Sequence, residues 1–199
     1  MAGAGSVVLR PPVEVMRPHR ADQVPSAADL PGGVQYSPKL DGFRCVAFVL
    51  EDGQVVLQSR AGRHLEDDFP QVASALARQL PVGVVLDGEL CAWDRGRLAF
   101  EALLRSRRGR DAAGIPVTFA AFDVLAVPGR DLRALPLRER WAQLEVLLRG
   151  VVPPVERVLA TTDRAVAMEW WTSLSAVGVE GLVCRGLATP YRVRRAGRG

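Results

Sequence analysis

Two apolar runs, Phe43–Leu50 and Val55–Ser59, are joined through the short polar link Glu51-Asp52-Gly53. Parallel neighbours need a crossover of a dozen residues or more, so a link this short makes adjacent antiparallel strands. Asp-Gly tolerates the positive φ of a hairpin turn at little cost. The chain must therefore build at least one antiparallel sheet, and the remaining pattern has to be fitted around it.

A strand begins at Val34. Asp68-Phe69-Pro70 opens a helix in which Val72, Ala75, Leu76 and Leu80 recur at helical spacing. Val84–Trp93 reads as a strand passing through Asp87-Gly88-Glu89, and Phe100–Arg105 as a short helix. Val117–Val127 is the strongest strand signal, and Leu137–Leu148 is an amphipathic helix. A short strand near Val155–Ala160, a helix capped by Asp163 and running to about Ala176, and a strand over Gly181–Arg185 complete the pattern. Hairpins without a steady strand–helix–strand rhythm predict an α+β fold of antiparallel sheets flanked by helices. Residues 1–33, with Pro11-Pro12, Pro18, Pro25 and Pro31-Gly32-Gly33, read as an extended lead-in and not a packed element. One domain is expected over 34–190, followed by a basic tail over 191–199.

The 26 Lys and Arg residues exceed the 22 Asp and Glu, giving a formal charge of +4 that is compatible with a polyanionic partner. The excess is uneven: Arg105, Arg107, Arg108 and Arg110 form one cluster, and Arg192, Arg194, Arg195 and Arg198 another. Each cluster alone fits phosphate binding and a solvated charge run equally well. Cys45, Cys91 and Cys184 are odd in number and widely spaced, which argues against a disulfide framework or a zinc site and fits a reducing cytoplasm. Met1–Arg10 holds no signal-peptide core, and Asp123 interrupts the longest apolar run. A cytoplasmic protein off the membrane is expected.

Only one of the 26 basic residues is a lysine, Lys39, in the string Lys39-Leu40-Asp41-Gly42-Phe43-Arg44. An amine can lose its proton and attack an electrophile, whereas a guanidinium stays charged. Alone, the string fits a solvated lysine beside an Asp-Gly turn at least as well. Ser59-Arg60-x-Gly62, Asp87-Gly88-Glu89-Leu90, Phe119-Ala120-Ala121-Phe122-Asp123-Val124-Leu125 and Glu180-Gly181-Leu182-Val183 follow in order. Separately, these read as a turn, a core aromatic and a helix exit; together they form a constellation.

The succession resembles the nucleotidyltransferase domain of ATP-dependent DNA ligases, within the superfamily of capping enzymes and RNA ligases. It is most similar to bacterial ligases of non-homologous end joining, from about Val13 to about Arg195. The resemblance implies two antiparallel sheets flanked by helices, ATP-grasp-like, with ATP between them. It implies that Lys39 attacks the α-phosphate of ATP and holds AMP as a phosphoramidate, with burial and nearby cations lowering the affinity of its amine for a proton. Asp41 would orient the lysine and receive its proton, and Gly42 would let the backbone approach the nucleotide. Arg44 and Arg60 would hold ribose and phosphates, Glu89 the ribose hydroxyl, and Phe122 the adenine ring. Glu180 would place Mg²⁺ or Mn²⁺ beside the reacting phosphate. The implied partners are ATP, nicked or broken duplex DNA and end-joining repair proteins, with the chain itself a monomer.

Three departures from the family pattern stand out. Ser37 lies two positions before Lys39, where many ligases have a Glu that reads adenine. Arg185 replaces a lysine at another nucleotide-binding position. The closing W-x-K-x-K motif and the OB-fold domain are not found before Gly199, so slow charging and poor sealing are expected. Two alternatives stay open: a catalytically impaired remnant that binds nucleotide or nucleic acid, and an RNA ligase or capping-type enzyme.

Overall fold

The Glu51–Gly53 link is a single tight turn with Asp52 at φ 57° and Gly53 at φ 73°, the left-handed conformations that Asp-Gly accepts. The computed structural model containing it describes residues 6–192. Arg194, Arg195 and Arg198 of the second basic cluster lie outside the described residues, while Arg192 is exposed.

In chain order the strands are β1 (Val34–Lys39), β2 (Phe43–Val49), β3 (Val55–Ser59), β4 (Val85–Asp94), β5 (Arg97–Leu98), β6 (Val117–Val127), β7 (Arg130–Asp131), β8 (Val155–Arg157) and β9 (Gly181–Gly186). The helices are α1 (Pro70–Gln79), α2 (Phe100–Leu103), α3 (Arg107–Ala112), α4 (Leu137–Leu147) and α5 (Arg164–Ser173). A seven-stranded sheet runs β3-β2-β4-β6-β7, with β5 on β4 and β8 on β6; β1 and β9 form a separate two-stranded sheet. The pairings are antiparallel except that β8 runs parallel to β6.

Asp87-Gly88 is no turn. It sits inside β4, where the register against β6 shifts between the two residues. A Cβ on Gly88 would stand 2.7 Å from both the Ala120 carbonyl oxygen and the Phe119 ring, so only glycine fits this bulge. The arginine-rich run contains a helix that charge alone does not announce. The Ser106 hydroxyl accepts from Gly109 N at 3.2 Å and starts α3. Arg110 is 3% exposed, donates to the carbonyls of Leu103, Arg105 and Asp68, and lies 4.5 Å from the centre of the Phe69 ring. It is a brace, whereas Arg105, Arg107 and Arg108 are exposed.

Strand alternation gives the large sheet two faces. On one, Ala47, Leu57, Leu86, Leu90, Phe119 and Val124 pack with Val72 and Leu76 of α1 and Leu144 of α4. Each such Leu or Phe, fully buried, stabilises the fold by about 1.5–3 kcal/mol. On the other, Val46, Phe48, Val85 and Leu125 are covered by Leu9, Val13, Val15 and Tyr191. The stretch from Leu9 to Val15 of the lead-in is thus packed, contrary to its Pro/Gly-rich reading. Among its described residues the lead-in forms no strand or helix because its prolines cannot donate to a ladder, yet the Gln58 amide donates to Val13 O at 2.7 Å and accepts from Val13 N at 2.8 Å. Tyr191, read as the first residue of a basic tail, belongs to the same core. Among the described residues no helix is long and apolar enough to cross a membrane.

Candidate active site

Facing residues of paired strands share a side of their sheet, and this rule assembles a cleft between the two sheets. In the small sheet Val34 and Tyr36 pack on Ala167 of α5, so Gln35, Ser37 and Lys39 face the other way. Their partners across β9 are Arg185, Val183 and Gly181. In the large sheet Arg44 pairs with Glu89, which pairs in turn with Ala120. The sheets are bridged where Arg185 donates to the Phe122 carbonyl at 2.7 Å and to Asp123 Oδ2 at 2.9 Å.

Lys39, at the end of β1, forms an ion pair with Glu180, which directly precedes β9. Asp41 lies close enough to feel both charges. Partial burial and then the Glu180 carboxylate raise its carboxyl above the usual range, with Lys39 opposing. Deeper in, burial pushes Glu89 up to about 7 against the attraction of Arg44, with Asp87 adding to the rise. A carboxyl of that strength is shared between its two protonation states near neutral pH.

Beneath these groups lie two buried carboxylates. Asp87 accepts from Arg44 Nε at 2.6 Å and Nη2 at 2.7 Å, and from the Tyr191 hydroxyl at 2.6 Å. Asp123 accepts from Arg140 Nε at 2.9 Å and Nη2 at 3.0 Å as well as from Arg185. The Phe122 ring is flanked by both networks, with the Arg44 guanidinium 4.6 Å and that of Arg185 5.7 Å from its centre.

The structure brings Lys39, Asp41 and Glu180 together at the mouth of the cleft, and Arg44, Glu89, Phe122 and Arg185 further in. Arg60 is exposed in the loop after β3, and among the described residues no side-chain hydrogen bond or ion pair joins it to the group. Some expectations change. The Lys39 side chain is 45% exposed and its partner is a carboxylate, so strong desolvation does not surround it. Gly42 is required by β4: a Cβ there would lie 2.2 Å from the Leu90 carbonyl oxygen. Arg44 and Arg185, expected to hold nucleotide, also brace Asp87 and Asp123. Among the described residues no group of three or more His, Cys, Asp or Glu side chains is placed to hold a metal ion.

The residues present suit a nucleotide: an aromatic face, a carboxyl facing the cleft and an amine at its mouth. Sequence reasoning missed Arg140 and Tyr191. A buried charge gave its only signal at Asp123, the one ionisable residue inside the most apolar strand.

DNA ligase C2 of Mycolicibacterium smegmatis is 35% identical over 92% of this chain and 51% of its own length. DNA ligase C of Mycobacterium tuberculosis is 35% identical over 86% of this chain and 50% of its own length. The chain therefore spans about half the length of these curated relatives. The crystal structure of the ligase domain of M. tuberculosis LigD superposes with a TM-score of 0.68 at 28% identity, covering 87% of this chain and 54% of that one. A mycobacterial DNA ligase D complexed with ATP and MES gives 0.70 at 26% identity, covering 92% and 56%. The model of the ATP dependent DNA ligase domain matches residues 18–199. With that match over most of its length, the chain belongs to the ATP-dependent DNA ligase domain family.

Proposed function

We propose that the domain adenylates itself on Lys39 and passes AMP to the 5′-phosphate of nicked or broken duplex DNA. The observation that carries this reading is the placement of the only lysine beside Asp41 and Glu180, at the mouth of a cleft lined by Phe122 and Glu89.

Lys39 must first lose a proton and leave Glu180. Asp41 suits the role of acceptor because its raised carboxyl holds a proton more readily than an exposed aspartate. The Lys39 nitrogen then forms a bond to the α-phosphorus of ATP as the bond from that phosphorus to the bridging oxygen breaks, and pyrophosphate leaves. Phe122 would stack on the base, contributing about 1–3 kcal/mol. Glu89 would bind a ribose hydroxyl, as acceptor when ionised and as donor when protonated. Arg44 and Arg60 are placed with the ribose and phosphates in this reading, and Arg185 supports Phe122. Mg²⁺ or Mn²⁺ bound through Glu180 would neutralise phosphate charge. The exposed Arg105, Arg107 and Arg108 offer phosphate contacts for DNA. The setting is cytoplasmic repair, with the chain a monomer and end-joining proteins as partners.

Incubation with α-labelled ATP and Mg²⁺ tests the reading. Label should remain on the protein through denaturation and be absent from Lys39→Ala. Nucleotide binding without covalent label would instead identify a binding module.

A further inference from the structure

The Nη2 of Arg44 is held by two acceptors from distant parts of the chain, Asp87 Oδ2 at 2.7 Å and the Met16 carbonyl at 3.3 Å. The Tyr191 hydroxyl touches both of these holders. It donates to Asp87 Oδ2 at 2.6 Å and accepts from Met16 N at 3.2 Å. Burial, then the Asp87 carboxylate, raise this hydroxyl well above the ordinary tyrosine range, so it stays a donor at any working pH. The Tyr191 main chain is fixed in turn, its N donating to the Arg133 carbonyl at 2.8 Å.

The Tyr191 ring reaches the second network. The Arg140 guanidinium lies 5.7 Å from its centre, and the same arginine clasps Asp123, which holds Arg185 beside Phe122. The contacts close a circuit. Phe122 joins Arg44 to Arg185 in the cleft, and Tyr191 joins Asp87 to Arg140 within the core. The ties to Asp87 and Met16 occupy Nε and Nη2 of Arg44. Among the described residues no hydrogen bond uses its Nη1, which leaves that nitrogen to donate to a ligand oxygen.

We propose that Tyr191 is a positioning residue for nucleotide binding: its hydroxyl fixes Asp87 and Met16 so that Arg44 is aimed at the ribose and phosphates beside Phe122. The proposal rests on the nucleotide reading of the cleft. Tyr191 itself touches no nucleotide and acts only through Arg44. Loss of the hydroxyl therefore weakens ground-state binding and leaves the attack of Lys39 on a bound α-phosphate as it was.

The test measures KM and the maximal rate of protein labelling with α-labelled ATP, and ATP affinity by calorimetry. Tyr191→Phe keeps the ring and its packing and removes only the hydroxyl. Its KM should rise about three- to tenfold, with affinity falling by the same factor and the maximal rate within about twofold of wild type. Tyr36→Phe is the control. The Tyr36 hydroxyl makes a comparable bond, to the Pro25 carbonyl at 2.6 Å, but on the α5 side of the small sheet and with no route to Arg44. Its KM should match wild type even where its melting temperature falls. Arg44→Lys removes the fork that Asp87 and Met16 hold, so adding Tyr191→Phe to it should change KM by less than about twofold. Thermal melting checks that each variant is folded; if Arg44→Lys is not, the comparison of the two tyrosines decides alone. A wild-type KM in Tyr191→Phe, an equal rise in Tyr36→Phe, or an undiminished rise in the Arg44→Lys background would overturn the proposal. A lower maximal rate at unchanged KM would overturn it as well. If wild type binds ATP but takes no label, the adenylation reading fails, and the calorimetric affinities decide the role of Tyr191 by the same criteria. Wild type that does not bind ATP ends both.

Discussion

The two walls of the cleft are built in opposite ways. In the large sheet, Asp87 and Asp123 are 0% and 1% exposed and each is clasped by an arginine fork. At the edge of the small sheet, Lys39 and Glu180 share an ion pair with both side chains nearly half exposed. Exposed pairs contribute about 0–1 kcal/mol, whereas breaking a buried one costs about 3–5 kcal/mol. One wall is a fixed frame, and the other holds its amine by a contact that is easily released. In the proposed adenylation Lys39 exchanges a carboxylate for a phosphate, and that reading needs the second kind of setting.

The largest effect expected is on chemistry alone. Lys39→Arg keeps the charge and the exposed position, so its melting temperature should match wild type, while label from α-labelled ATP should vanish because a guanidinium does not give up its proton. Measurable adduct on the arginine variant would remove Lys39 from the reaction.

On the frame, the expected effect is the reverse. Asp123→Ala leaves the buried Arg140 guanidinium without its carboxylate partner and removes one of the ties that hold Arg185. Denaturant unfolding should show a loss of about 3–5 kcal/mol, and nucleotide binding should suffer through misplacement of Phe122. A loss below about 1 kcal/mol would mean that the two walls do not differ as described.

Glu89 separates the walls by pH. Its folded value of about 7 lies above the ordinary value of about 4.3 in an unfolded chain, so the folded state binds the extra proton. Stability from this group is full below about pH 4.3 and falls as pH rises toward 7. Glu89→Gln fixes the neutral form. It should be more stable than wild type by about 1–3 kcal/mol at pH 8, with the gain gone at pH 4. Melts of both proteins across that range check it, and a gain independent of pH would assign the effect to packing.

The frame and the mouth were also legible to different degrees. The edges of β2 and β6 are visible in apolar runs because the strands are buried on both faces and their turns carry Asp-Gly or Pro-Gly. Lys39, Asp41, Glu89 and Glu180 stand out because short motifs hold their neighbours. The bracing arginines do not: Arg140 of α4 and Arg110 of α3 look like any arginine on a helix, and only the partner supplied from distant sequence makes them buried. The lead-in misled for a related reason. Its prolines announce irregular backbone, but burial of Leu9, Val13 and Val15 depends on the open apolar face of the sheet, which no local pattern reveals. The parallel placement of β8 beside β6 has the same origin, since a three-residue strand carries no signal of its direction.

The smallest stability effect belongs to Glu180. Its only side-chain partner among the described residues is Lys39, and the pair is open to solvent, so Glu180→Ala should change unfolding free energy by less than about 1 kcal/mol. Its effect on labelling should be out of proportion to that. If the carboxylate places a metal at the transferring phosphate, its removal lowers the rate of adduct formation while ATP affinity stays near wild type, because the interaction strengthens as charge develops. If instead it serves only to hold the Lys39 ammonium, removal should ease release of the amine and leave the rate unchanged or higher. Single-turnover labelling over a series of Mg²⁺ concentrations distinguishes the two. A rate that falls and is partly recovered by more Mg²⁺ supports the metal role, and a rate that rises at every concentration rejects it.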